Sequence, residues 1–521
     1  MKFRFIFLIG TTTIVFLFLG YNVYNLQINR GAYYTGRAQA QQAVNLPVAS
    51  PRGTIYFNGK VPAAMDREFS FIYAVPTDIE DPTETSERLR VALALDPSVT
   101  VPLITKKGQY AELISKATAE QVAAITEASI PGIYVGSRVG RTYPFGSLAS
   151  QVLGFVSQND KKQAPTGQYG IEARYESVLA QDKDIELTID PNIQRRAEEI
   201  LKSLVETWHP TGGTVIVEDP KTGRILAMGN YPSFDPNEYS KSEIATFLNP
   251  AVQAVYEPGS IQKVLTMAAG IDSGAITPDT TYVDKGYFTA NGYTIRNWDL
   301  KAHGLLTMTN VIEQSVNTGS VFSQQQTGNK TFYDYLLKFG FKQPTGIDLP
   351  GEVTGKLTPL EKDPRAINYG TAAYGQGISN TPIGMLQAIS AIANHGIMNQ
   401  PHITENADVP ADRRVMSERT ATQVTQMMVS AVDKAKVAAI PQYRVAGKTG
   451  TAFIPEKGGY SENVINTYVG FAPATEPRFI ILIKIDRPKN APLAGQTVVP
   501  AFHDLAEFLL NYYDIPPDSP H

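Results

Sequence analysis

The sequence contains no cysteine in 521 residues. That excludes structural disulfides, thiol nucleophiles and thiolate metal sites, and is compatible with an oxidising compartment. Histidine is nearly as scarce: six residues, scattered between His209 and His521, none in a ligand spacing such as His-Glu-x-x-His. A metal cofactor is therefore not expected, and no cofactor-binding motif replaces it. Long runs of like charge are missing too. With 46 basic and 50 acidic residues the net charge is −4, and nothing in the pattern points to nucleic acid.

What is present begins at the N-terminus. After Lys2 and Arg4 comes FIFLIGTTTIVFLFLGYNVY, without a charge until Arg30. At about 1.5 Å rise per residue this run spans a bilayer's hydrocarbon core. The triplet AQA, Ala38–Ala40, lies too far beyond it to serve as a signal-peptide cleavage site. The expectation is an uncleaved single-pass anchor. Basic residues before the span place the N-terminus in the cytoplasm and the rest outside the cell membrane.

Composition with 43% hydrophobic residues supports two or three domains with real cores. The expected division is 1–25, cytoplasmic tip and transmembrane anchor; 26–185, a mixed region of short strands and helices without a catalytic constellation; and 186–521, a catalytic domain. The last boundary falls where a short strand meets Asp190 as a helix N-cap with Pro191 at the first helical position. Strands GTVIVED and RILAMGNY then flank a PKTG turn, helices fill the middle, and strands return in YRVAGKTGTAF, NTYVGFAP and RFIILIKID. AFHDLAEFLLNYY closes the chain with Phe502, Leu505, Phe508 and Leu509 on one helical stripe. An antiparallel sheet flanked by helices is an α+β domain.

Two Lys-Thr-Gly triplets occur. In Asp219-Pro220-Lys221-Thr222-Gly223 the triplet is hairpin-turn chemistry. In VAGKTGTAF, Lys448, Thr449, Gly450 and Thr451 lie on a strand where large β-formers are preferred, so close approach of something to that backbone is expected. Ser260-Ile261-Gln262-Lys263 is the single Ser-x-x-Lys. A helix starting after Pro258-Gly259 would set Ser260 and Lys263 one turn apart on one face. A lysine desolvated there and crowded by a second cation can act as base toward a serine nucleophile. Ser315-x-Asn317 is the third element. Ser-x-Asn recurs at Ser157 and Ser461, and only chain order singles out Ser315: 55 residues separate it from Ser260 and 133 from Lys448.

Ser-x-x-Lys, Ser-x-Asn and Lys-Thr-Gly in that order resemble the signature of penicillin-binding proteins and serine β-lactamases. YEPGSIQK, YGQGISNTPIGMLQAISAIANHG and YVGFAPATEPRFIILIKIDRP resemble the transpeptidase domain of class B penicillin-binding proteins, and RTYPFGSLASQVLGFV and YGIEARYE their non-catalytic pedestal. The YFNGK that follows Arg52-Gly53-Thr54-Ile55 departs from the family's usual Asp-Arg pair. The resemblance implies a penicillin-binding, serine β-lactamase-like fold on a dimerisation-type pedestal. It implies Ser260 as nucleophile on stem-peptide D-alanine, Lys263 as its base, Ser315 as proton relay and Asn317 as an anchor for Lys263 and substrate. Lys448 would supply positive field, and Thr449, Gly450 and Thr451 would bind substrate. Peptidoglycan stem peptides as substrate, β-lactams as inhibitors, and a SEDS-family glycosyltransferase with divisome proteins as partners are likewise implied, with a septal role favoured over elongation. A D,D-carboxypeptidase and a non-catalytic β-lactam sensor or divisome scaffold remain open. The class A β-lactamase element Glu-x-x-Leu-Asn occurs only as Glu507–Asn511, after Lys448 and within the terminal helix.

Overall fold

A computed structural model describes residues 2–29, 51–106, 110–157, 165–456, 458–490 and 493–519. The triplet Ala38–Ala40 lies outside them. The chain forms two compact units, Met1–Arg52 with Asp66–Thr142, and Gly53–Met65 with Tyr143–His521.

In the first unit, α1 (Lys2–Tyr24) carries its charges, Lys2 and Arg4, at its start and is otherwise long and apolar enough to cross a membrane. The rest includes β1 (Val61–Ala74), which belongs to this unit from Asp66 on, with β2 (Ala111–Ala117) and β3 (Ile133–Thr142) both paired to it. Helices α2 (Pro82–Leu93) and α3 (Ala119–Ala128) start on side-chain caps, Asp81 for the one and a reciprocal Thr118–Gln121 box for the other. Leu89, Leu93 and Ile125 join Ile72, Ala74 and Ile133 in this unit's core.

The second unit is built on five antiparallel strands. Helix α4 (Pro191–Trp208) begins as the sequence implies, the Asp190 carboxylate accepting from the Asn192 and Ile193 N–H groups. It leads into β4 (Gly212–Asp219) and β5 (Arg224–Tyr231). The Asp219 side chain closes the turn between them, accepting from Lys221 N at 2.9 Å and Thr222 Oγ1 at 2.9 Å. Gly223, at φ 78°, occupies the left-handed position such a turn requires. The first Lys-Thr-Gly is thus a turn, its exposed Lys221 paired with Glu476.

Next come α5 (Gln262–Asp272), α6 (Met308–Gln314), α7 (Asn317–Thr327), α8 (Pro382–Ala393) and α9 (Glu418–Ala435). Three strands follow, β6 (Ala446–Glu456), β7 (Gly459–Ala472) and β8 (Phe479–Asp486), and then α10 (Val498–Tyr512). The sheet order is β6-β7-β8-β4-β5. Period-two alternation divides the strands between two cores. Phe479, Ile481 and Ile483 of β8, with Val215 and Val217 of β4, pack with Phe502, Leu505 and Leu509 of α10 and Ile193 and Leu201 of α4. Ile480, Leu482 and Ile216 join the helical core that contains Val264, Leu265, Met385 and Leu386. Helices on both faces explain why Phe479–Ile483 of this strand reads as an unbroken apolar run.

One buried acid sits inside this second layer. Glu218 of β4 is fully enclosed and accepts from Ser390 Oγ of α8 at 2.5 Å, while its other oxygen meets no donor among the described residues. Burial pushes its pKa to about 8. The folded state therefore holds a proton there that the unfolded chain releases near pH 4.5, so this residue's contribution to stability falls between those values as pH rises. Glu218→Gln keeps the acceptor and removes the titration. Melting curves from pH 5 to pH 9 should show a decline in the parent, relative to the variant, of roughly 3–5 kcal/mol at most. Parallel curves would contradict a buried neutral acid.

Candidate active site

Ser260 stands at the entry to α5. The backbone makes a single 3₁₀ turn, Gly259–Ile261, and then the α-helix from Gln262. The sequence reading put Ser260 in the first α-helical turn; the tighter turn arises because Gly259 sits at φ 57° with its N–H bonded to Gly375 O at 3.1 Å. Ser260 remains partly exposed, whereas Lys263 has no exposed surface.

Lys263 Nζ is surrounded by acceptors of the second motif. It donates to Ser315 O at 2.5 Å, Asn317 Oδ1 at 2.8 Å and Ser315 Oγ at 3.2 Å. Ser315 closes α6 in the left-handed conformation, φ 56°, which is strained for a residue other than glycine. Both its carbonyl and its hydroxyl meet the lysine from that position. Asn317, first in α7, has its amide orientation fixed at the other end, where Nδ2 donates to Arg296 O at 2.9 Å. A chain of side chains supports α6 from behind: Glu313, two residues before Ser315, accepts from Ser430 Oγ at 2.6 Å and Lys434 Nζ at 2.9 Å, both on α9.

Lys448 completes the cluster from β6. Its Nζ donates to Ser315 Oγ at 2.9 Å, Thr449 O at 3.1 Å and Thr449 Oγ1 at 3.3 Å. Two lysines therefore converge on one serine hydroxyl, and among the described residues neither has an acidic partner. Burial holds Lys263 well below the ordinary lysine value, with the charge of Lys448 adding to the effect. Burial also draws Lys448 down to about 7. Two unpaired buried ammonium ions this close repel each other, so the pair does not carry two full charges at neutral pH.

Strand β6 pairs with β7 alone, leaving its other edge open. Thr449 and Thr451 are half-exposed on it. The small residues of 447–451 were expected to make room for a ligand backbone; the structure gives two of them a different cause. A Cβ on Gly447 would fall 1.9 Å from the Tyr468 hydroxyl, and one on Gly450 would lie 3.0 Å from Pro258 O and Ile261 Cγ2. Gly259 in turn lies against Thr451 and Ala452, its added Cβ reaching both at 3.0 Å. Gly450 thus lets the nucleophile's turn dock onto the strand carrying Lys448. This brings Ser260, Lys263, Ser315, Asn317 and Lys448 to one place, with Thr449, Gly450 and Thr451 beside them. The competing Ser-x-Asn at Ser157 has residues 158 and 159 outside the described part, and that at Ser461 lies near the tip of the β6–β7 hairpin, its hydroxyl donating to Ile454 O at 3.2 Å. Glu507 faces solvent on α10, whose buried side covers the opposite core.

A partly exposed serine, a buried lysine of depressed pKa, a bridging hydroxyl and a second lysine beside an open strand edge form a site for serine acyl transfer. Comparison with known proteins narrows the class. Residues 213–507 match the penicillin binding protein transpeptidase domain, and residues 47–207 the penicillin-binding protein dimerisation domain. The chain is 31% identical to stage V sporulation protein D of Bacillus subtilis, over 95% of this chain and 83% of that protein. It is 27% identical to the probable peptidoglycan D,D-transpeptidase PbpC of Pseudomonas aeruginosa, over 99% and 96%. A crystal structure of penicillin binding protein 3 from Mycobacterium tuberculosis, complexed with ampicillin, superposes with TM-score 0.72 at 27% identity, covering 91% of this chain and 97% of that one. The chain belongs to the class B penicillin-binding protein family.

Proposed function

We propose that this protein is a peptidoglycan D,D-transpeptidase that cross-links stem peptides through an acyl-enzyme on Ser260, in septal wall synthesis. The observation that carries this reading is the convergence of Lys263 and Lys448 on the Ser315 hydroxyl, with Ser260 in the turn that leads into the helix bearing Lys263. Ser260 Oγ attacks the penultimate D-alanine carbonyl while neutral Lys263 takes its proton. Backbone N–H groups of Ser260 and Thr451 stabilise the oxyanion. As the C–N bond breaks, Ser315 passes the proton to the departing D-alanine amine. An amine of a second stem peptide then attacks the ester, releasing Ser260. Asn317 holds Lys263 and the substrate amide, Lys448 supplies positive field, and Thr449 and Thr451 bind the donor's terminal carboxylate. The donor lies along the open edge of β6 as an added strand, a mode in which main-chain hydrogen bonds give affinity.

Residues 1–25 serve as tip and anchor with the N-terminus cytoplasmic, 26–185 as pedestal, and 186–521 as the extracytoplasmic transpeptidase domain. A SEDS-family glycosyltransferase and divisome proteins are the partners this reading implies. The fate of the acyl-enzyme tests it. Among the described residues no carboxylate hydrogen-bonds Ser260, Lys263 or Ser315, so nothing is set to activate water, and an amine needs less activation. After acylation with penicillin and removal of free drug, the adduct should persist for hours, equally in Glu507→Ala. Rapid turnover that depends on Glu507 would make the protein a β-lactamase.

A further inference from the structure

Glu257, three residues before Ser260 in YEPGSIQK, belongs to none of the three catalytic motifs. Its carboxylate accepts from Gly377 N at 3.1 Å and from Tyr460 Oη at 3.1 Å. These partners come from two elements that enclose the nucleophile. The loop 374–377 bonds the Ser260 turn through Gly375 O, and Tyr460, second in β7, lies opposite Pro455 of β6, the strand bearing Lys448. The phenols of Tyr374 and Tyr460 both lie within range of the Glu257 charge, and Tyr460 is 49% exposed. The carboxylate is half-buried, and no lysine or arginine pairs with it among the described residues. An uncompensated, partly desolvated acid held by an exposed tyrosine, three residues from the nucleophile, is built to receive a cation.

This rests on the transpeptidase reading and extends it. Cross-linking passes the acyl group to a primary amine, which is an ammonium ion at neutral pH before it reacts. Because each stem peptide can serve as donor or as acceptor, the same amine also arrives on the donor. We infer that Glu257, with Tyr374 and Tyr460, forms the subsite for the side-chain ammonium of the stem peptide's diamino residue. The group recognised is the same whether it belongs to donor or acceptor.

The test uses the full-length protein in detergent, as parent, Glu257→Gln and Glu257→Asp. Two thioester donors are compared, Nα-acetyl-lysyl-D-alanine thioester with a free ε-amine and its Nε-acetylated form, following thiol release. In a second arm the acetylated donor is supplied with Nα-acetyl-lysine amide, and the ratio of aminolysis to hydrolysis is measured. If the donor's ammonium is bound, the parent prefers the free-amine donor by about tenfold and Glu257→Gln loses that preference. If the acceptor's is bound, the aminolysis ratio falls by about tenfold in Glu257→Gln instead. Glu257→Asp, which keeps the charge one methylene back, should retain part of whichever preference exists, and it carries the test should the amide variant not fold. Both ratios unchanged in a variant that still takes penicillin stoichiometrically would overturn the subsite and leave the transpeptidase reading standing. A parent that releases no thiol and takes no penicillin would overturn both.

Discussion

Lys263→Ala is expected to slow acylation by penicillin about a thousandfold or more, since it removes the base at the nucleophile. The same substitution strips a donor from Ser315 O and Asn317 Oδ1 in a buried setting, so stability should fall too, by about 1–3 kcal/mol for the unsatisfied acceptors. Lys263→Arg separates the roles. A guanidinium preserves the charge and cannot be deprotonated in a protein, so it too should fail as a base. An arginine variant that acylates within tenfold of the parent would mean that Lys263 contributes field alone. The pH profile gives the same information without mutation. Lys263 must be neutral to accept the proton, and its pKa is depressed, so acylation should rise with pH on the acidic limb. It should turn down as pH passes about 7, where Lys448 loses the charge that serves the oxyanion and carboxylate.

Lys448→Ala should slow acylation roughly a hundredfold, the magnitude seen when one preorganised electrostatic group is removed from an oxyanion site. Lys221→Ala, in the other Lys-Thr-Gly, should change it little: that lysine is exposed, and surface substitutions usually shift stability by no more than about 0.5 kcal/mol. Side-by-side rate constants with fluorescent penicillin decide the matter. Equal effects would refute the distinction between turn and site.

That distinction was legible in the sequence because its cause is local. Asp219, Pro220 and Gly223 specify a turn whatever surrounds them, and the helix stop-start around Asp190 is equally self-contained. Ser260 and Lys263 were legible for a related reason, since helical spacing alone puts them on one face. The meeting of Ser315 with both lysines was legible only through motif order, because 133 residues separate Ser315 from Lys448 and no spacing rule spans that distance. What escaped was tertiary and mostly backbone. The Arg296 carbonyl that fixes the Asn317 amide has no side-chain signature. Ser430 and Lys434 brace Glu313 from a helix more than a hundred residues away. Gly447 and Gly450 looked like concessions to a ligand, yet each faces protein: Tyr468 behind the one, the nucleophile's own turn against the other. A sequence records that a residue is small, not which neighbour requires it.

The central claim is that Ser260 is the residue acylated. Full-length protein labelled with a fluorescent penicillin, digested and mapped by mass spectrometry, should carry one adduct, on the peptide containing Ser260, and Ser260→Ala should carry none while melting as the parent does. An adduct on Ser315 or any other residue, or a Ser260→Ala variant that labels normally, would contradict the account.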